Sequence, residues 1–173
     1  MAESVLKYPA PELRKKTVPV EKIGEDVFRL VDRMIETMIA EDGVGLAANQ
    51  IGSSHRIFIL NAHPNEENTE SIVCINPIVL QQEGDEICEE GCLSFPELYL
   101  KIARPQKVRL SAKNLYNESF VLELSGILAR ATMHEMDHLD GILLIDHAAE
   151  TDKEMIAKYT EEMPGTAETK CEP

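Results

Sequence analysis

Apolar residues recur at Val27, Leu30, Val31, Met34, Ile35, Met38 and Ile39. This is the i, i+3, i+4, i+7 rhythm of a helix that buries one face. Past Glu41-Asp42-Gly43 the rhythm changes. GLAANQIG (45–52) is small and turn-like, whereas RIFILNA (56–62) and IVCINPIVL (72–80) are rich in β-branched and aromatic residues and predict strands, separated by the polar break NAHPNEENTES. KVRLSAKN and SFVLELSG flank the turn signal NLYNE and predict a hairpin. Its second strand alternates Phe120, Leu122 and Leu124 against Val121, Glu123 and Ser125. A second helix is expected over 127–139, with Ser125 as its cap and Gly141 as a left-handed stop. GILLIDH follows, short and apolar. TDKEMIAKYTEEM predicts a last helix, and PGTAETKCEP a frayed polar tail. Strands gathered around two or three helices argue for an α+β fold. Residues 1–163 are expected to form one domain and 164–173 a flexible tail.

Composition narrows the class. A chain of 173 residues, 43% hydrophobic, is long enough to bury a core without cross-links. No run approaches the roughly 18 apolar residues of a membrane span. The four cysteines, Cys74, Cys88, Cys92 and Cys171, are too few and scattered for a disulfide framework, so reduced thiols in a cytoplasmic protein are expected. A formal charge of −14 repels phosphate backbones and disfavours direct nucleic-acid binding.

Candidate chemistry concentrates in MHEMDHLDG, residues 133–141. His134 and His138 lie one helical turn plus about 40° apart, so both imidazoles leave one face and can grip one metal ion. Ile127 and Ala131 share that face, which the spacing turns inward. Glu135 lies about 100° round the helix, close enough to reach a water at the ion without ligating it. Two histidines leave a tetrahedral site unfinished. A metzincin would place a third histidine where Leu144 stands. A downstream glutamate, Glu161 or Glu162, is a second option, although an acidic helix face explains both. The upstream candidate is Cys92, in EEGCLSFPE, ahead of a turn signal at Pro96. Cys88 with Cys92 and the two histidines would instead make a closed Cys2His2 site, but a strand sets their sulfurs about 13 Å apart, and Cys88 suits a buried strand filler. In GVGLAANQIG (43–52), Gln50 offers an amide donor to a developing oxyanion.

GVGLAANQIG, EGCLS and HEMDH, in this order, resemble the three signature motifs of the peptide deformylase family. LKYPAPELRKK, ARP and LIDH extend the resemblance through about residue 148. It implies a metallohydrolase that removes the formyl group from N-formylmethionyl nascent proteins and releases formate. It also implies mostly antiparallel strands around a central metal-binding helix. By this resemblance Cys92, His134 and His138 are the metal ligands, Glu135 is the general acid and base, and Gln50 with the Leu93 N–H holds the oxyanion. Val44, Gly45, Glu90, Ile127 and Ala131 match positions at the substrate, and Arg104 a partner for Glu90. The family commonly uses Fe2+, with Ni2+, Co2+ or Zn2+ able to substitute. Two positions depart from its pattern: Asn49 stands where proline is usual, and Met133 where glutamine is usual. Some members dock on the ribosome through a basic C-terminal helix, but DKEMIAKYTEEM is net acidic.

Overall fold

A computed structural model of the chain describes residues 2–64 and 70–163. The middle of the polar break after Asn61, the expected tail at 164–173 and Cys171 lie outside the described residues. Helix α1 (Glu25–Ala40) forms as the periodicity predicts, with Val27, Leu30, Val31, Met34 and Met38 buried and Ile39 left outside the stripe. Strands β1 (Gly45–Ala47), β2 (Ile57–Asn61), β3 (Ser71–Glu83), β6 (Lys107–Lys113) and β7 (Ser119–Ser125) build an antiparallel sheet in the order β1-β2-β3-β6-β7. Strands β4 (Glu86–Cys92) and β5 (Phe95–Arg104) pair with each other in a second, two-stranded sheet. Helix α2 (Gly126–Leu139) follows β7, and α3 (Lys153–Glu162) comes last. The mixture of helices with mostly antiparallel strands is the α+β fold that the pattern predicts.

Strand β2 shows why the sheet sits where it does. All five of its residues are buried, and successive side chains leave opposite faces. Ile57 and Ile59 join Val31, Met34 and Met38 of α1 in one apolar cluster. Phe58 and Leu60 join Ala129, Met136 and Leu139 of α2 in another, with Leu110 and Leu124 of the hairpin. One helix therefore covers each face, and α2 lies between the sheet and the β4–β5 arm. A third cluster seats the arm: Phe95, Leu98, Leu100 and Ile102 pack with Leu13, Leu143 and Leu144.

Four expectations change. The turn near Cys92 falls at Leu93 and Ser94, and Pro96 lies inside β5, where a two-stranded sheet leaves room for a residue without an N–H. Glu97, at φ 62°, takes up the register shift beside it. Cys88 is on a strand but is only partly buried. Ser125 occupies the cap position of α2, yet its side chain makes no capping hydrogen bond. GLAANQIG is not simply a turn: it supplies edge strand β1 and a 3-10 turn over Ala48–Ile51. Among the described residues, no helix is long and apolar enough to cross a membrane.

Gly141 stops α2 in the left-handed region at φ 74°, where a Cβ would stand 2.5 Å from the Arg14 carbonyl oxygen. Both strain and contact oppose any side chain here. Gly141→Ala is expected to lower the unfolding free energy by about 2 kcal/mol or more in urea titration, because the left-handed conformation alone costs an alanine ~1–2 kcal/mol. A midpoint unchanged from the parent chain would contradict this account.

Candidate metal centre

Helix α2 presents His134 and His138 on one face, their ring centroids 4.9 Å apart and the planes at 75°. Strand β4 delivers Cys92 to the same point, with Sγ 3.2 Å from His138 Nε2. One ligand atom from each of the three residues lies within 4.8 Å of the others, and this group contains neither Cys88 nor a glutamate of α3. His134 Nδ1 is 2.7 Å from Glu90 Oε1, which turns its Nε2 away from the carboxylate and frees it as a ligand. One thiolate and two imidazoles suit a borderline divalent ion. Glu135 supports that fit: it is 3% exposed, and its Oε2 is buried without a hydrogen-bond partner.

The electrostatics follow from burial and close charges. Burial alone would push the Cys92 thiol up, but His138 and His134 beside it hold it well below its ordinary value. Burial likewise acts to lower His134, and the charge of Cys92 reverses this and raises it well above. Glu90 feels burial upward, and its hydrogen bonds with His134 and Arg104 bring it down to about 2. Glu135 goes the other way. Burial raises it to about 7, against the pull of both imidazoles.

A buried network ties the ligand elements together. Arg104, at the end of β5, makes two bonds to Glu90, of 2.7 and 3.1 Å, and a third of 2.6 Å to Asp137 Oδ2 on α2. His147 Nε2 lies 2.6 Å from the same Asp137 oxygen. Arg130 of α2 donates to the carbonyls of Ile102 on β5 and Glu86 on β4. Asn49, at the position where proline was the usual residue, donates from Nδ2 to the carbonyl of His138 at 2.6 Å. Met133 packs in the cluster under α2.

A cleft of about 580 Å³ opens over this centre. Val44, Gly45, Gln50, Leu93, Ile127 and Ala131 line it, together with Cys92, His134 and Glu135. His138 sits behind, 1% exposed. Ile127 is 47% exposed, so it stands at the open wall rather than in the core that its helix face suggested. Glu90 also lines the cleft, and both of its carboxylate oxygens are engaged by Arg104, one of them also by His134. Gln50 Oε1 accepts from the Ala47 N–H at 2.9 Å, and its Nε2 donates to Ser94 Oγ at 3.2 Å. Gly45 meets Glu135 so closely that a Cβ would lie 2.6 Å from Oε1. Lys7 and Tyr99 also line the cleft, and residue pattern alone does not reveal either. The one signal for Tyr99 was its neighbour across the ladder, Gly91, whose missing side chain makes room for the ring.

Comparison with known proteins agrees across the chain. Residues 2–154 match the family model described as Polypeptide deformylase. A peptide deformylase of Thermodesulfovibrio yellowstonii is 40% identical over 154 residues, covering 89% of this chain and 93% of the relative. One of Acidobacterium capsulatum is 38% identical over 168 residues, covering 97% and 99%. The crystal structure of a peptide deformylase from Legionella pneumophila superposes with a TM-score of 0.86 at 34% identity, covering 93% of this chain and 94% of that one.

Cys92→Ala is expected to cut divalent-metal affinity by well over the roughly 10–100-fold that loss of an outer hydrogen-bond partner costs, whereas Cys88→Ser leaves stoichiometry and affinity unchanged. Chelator competition followed by metal analysis reads both. Loss of metal in Cys88→Ser would reinstate a closed four-ligand site.

Proposed function

The chain belongs to the peptide deformylase family, enzymes that take the formyl group off nascent proteins, and on that premise we propose how its own residues share the reaction. Residues 1–163 act as the catalytic domain. Cys92, His134 and His138 hold one divalent ion, Fe2+ in the first instance, with Ni2+, Co2+ or Zn2+ as substitutes that a mixed thiolate and imidazole set accepts. When bound, the ion acidifies a water and polarises the formyl carbonyl.

The single observation that carries the assignment of roles is Glu135. Its carboxylate is buried beside the ligand set, has an unpartnered oxygen, and is raised to about 7. A carboxylate so placed accepts the proton of the attacking water and returns it to the nitrogen that leaves as the new N-terminal amine. Before that C–N bond breaks, attack by the water oxygen on the formyl carbon gathers negative charge on the formyl oxygen. Gln50 Nε2 and the Leu93 N–H donate to it, the Gln50 amide being held by the Ala47 N–H and Ser94. Glu90 fixes the ring of His134 and, through Arg104, keeps it in place. Val44 and Gly45 flank the peptide on one side of the cleft. Ile127 and Ala131 wall the pocket for the methionine side chain on the other, where Ile127 has the exposure that a wall requires.

The substrates are N-formylmethionyl peptides and nascent chains. We place the enzyme in the cytoplasm, where such chains emerge and where Cys74, Cys88 and Cys92 remain free thiols. The acidic α3 gives no reason to expect docking on ribosomal RNA.

Protein purified without oxygen and loaded with Fe2+ is expected to release formate from a formyl-Met-Ala peptide and to leave internal peptide bonds intact. Glu135→Gln should keep its metal and lose about 10²–10⁴-fold in kcat. Gln50→Ala should lose about 10²-fold or more. Metal-loaded protein that releases no formate would sink the assignment, as would a Glu135→Gln variant as fast as the parent.

A further inference from the structure

The two oxyanion donors of the reading above stand on separate pieces of chain. Gln50 belongs to the 3-10 turn that follows β1 of the five-stranded sheet, and Leu93 to the turn between β4 and β5, whose sheet shares no ladder with the first. An oxyanion hole works only if its donors sit about 2.7–3.1 Å from the oxygen that develops charge, and a misplacement near 1 Å can cost 10²-fold. The Gln50 Nε2 to Ser94 Oγ bond of 3.2 Å joins the two turns through side chains, and their backbones need a register of their own.

Residues 6–8 touch both. The Leu6 N–H donates to the Gln50 carbonyl at 2.7 Å. The next residue reaches across: Lys7 Nζ donates to the Leu93 carbonyl at 2.7 Å. The Tyr8 N–H then donates to the Ser94 carbonyl at 3.0 Å, and its ring stacks on Phe95 with centroids 5.1 Å apart. Three consecutive residues thus bond to residue 50 on one side and to residues 93 and 94 on the other. Val5, just before them, is 4% exposed and lies in the α1 cluster, which anchors the segment.

We infer that residues 6–8 are a splint that sets the spacing of the two oxyanion donors, and that Lys7 is a positioning residue for deformylation. The inference rests on the proposed roles of Gln50 and Leu93. Lys7 Nζ anchors the Leu93–Ser94 peptide unit of the turn; the Leu93 N–H belongs to the preceding unit, one pair of backbone dihedrals away, so the anchor acts on it through the conformation of Leu93. The backbone bonds of Leu6 and Tyr8 hold the two turns at constant separation. Lys7 also lines the cleft. Its stem is exposed, and removing its tip disturbs no core contact.

The full-length Fe2+ enzyme separates this role from the alternatives. Lys7→Met is expected to lower kcat on a formyl-Met-Ala peptide about tenfold, a fraction of the ~10²–10³-fold cost of deleting an oxyanion donor. KM and bound metal should stay within twofold, and Lys7→Arg, which keeps a charged donor on a long stem, should recover most of the loss. Three results overturn the inference: a Lys7→Met enzyme with the parent kcat, one whose KM rises while kcat holds, or one that loses metal. In the second case Lys7 contacts the peptide, and in the third the segment serves the ligand arm. Gln50→Ala distinguishes this failure from failure of the underlying reading. If that variant is slow and Lys7→Met is fast, only the splint falls. If Gln50→Ala keeps the parent turnover, the oxyanion assignment falls and the splint with it.

Discussion

The site depends on how a strand is held against a helix with which it has no backbone pairing. Cys92 rides on β4, the histidines on α2, and among the described residues no ladder joins the β4–β5 arm to the larger sheet. Buried Arg104 bridges the gap, with two bonds to Glu90 on the arm and one to Asp137 on the helix. Because the guanidinium fork is planar and satisfied on both sides, it fixes angle as well as distance. Arg130 repeats the tie from the helix side through two strand carbonyls. Burying this much charge is not obviously stabilising in itself, since a buried ion pair can lose as much in desolvation as it gains. Its return is geometric: Glu90 is placed where it can hold His134.

The rest of the fold serves that junction. Alternation along β2 lets one sheet seat α1 on one face and α2 on the other, so the ligand helix rests on a wall of Phe58, Leu60, Leu110 and Leu124. The arm is seated separately by Phe95, Leu98, Leu100 and Ile102, against residues drawn from both early and late parts of the chain. Tyr159 of α3 donates to the Pro96 carbonyl at 2.9 Å, so the last helix braces the arm as well.

Much of this was legible in the letters because the signals are local. The stripe from Val27 to Met38, the alternation from Phe120 to Leu124 and the histidines four apart each lie within one element, where periodicity has meaning. Cys92 was legible by a different route, as part of a signature shared with a family. The β4–β5 pair was obscured because EICEEGC interrupts its apolar residues with acids, and its pattern makes sense only once Glu90 is seen to face a buried arginine. Arg104 forms one network with Asp137, 33 residues further on, and His147, 10 beyond that, which no spacing announces. Ile127 looked inward because helical phase relates residues to one another and not to the surface. Its helix begins at the mouth of the cleft, so the same face is buried at His138 and open at Ile127.

The contact between Gly45 and Glu135 bears on how such a site can diverge. A side chain at 45 would occupy the place of the carboxylate, so every substitution there moves the base before it alters the cleft. Elsewhere in the lining no such veto applies: Ile127 and Tyr99 are 47% and 61% exposed. Sequence drift that retunes which peptides are accepted is thereby channelled to exposed lining positions such as these, while position 45 stays frozen by the chemistry it touches.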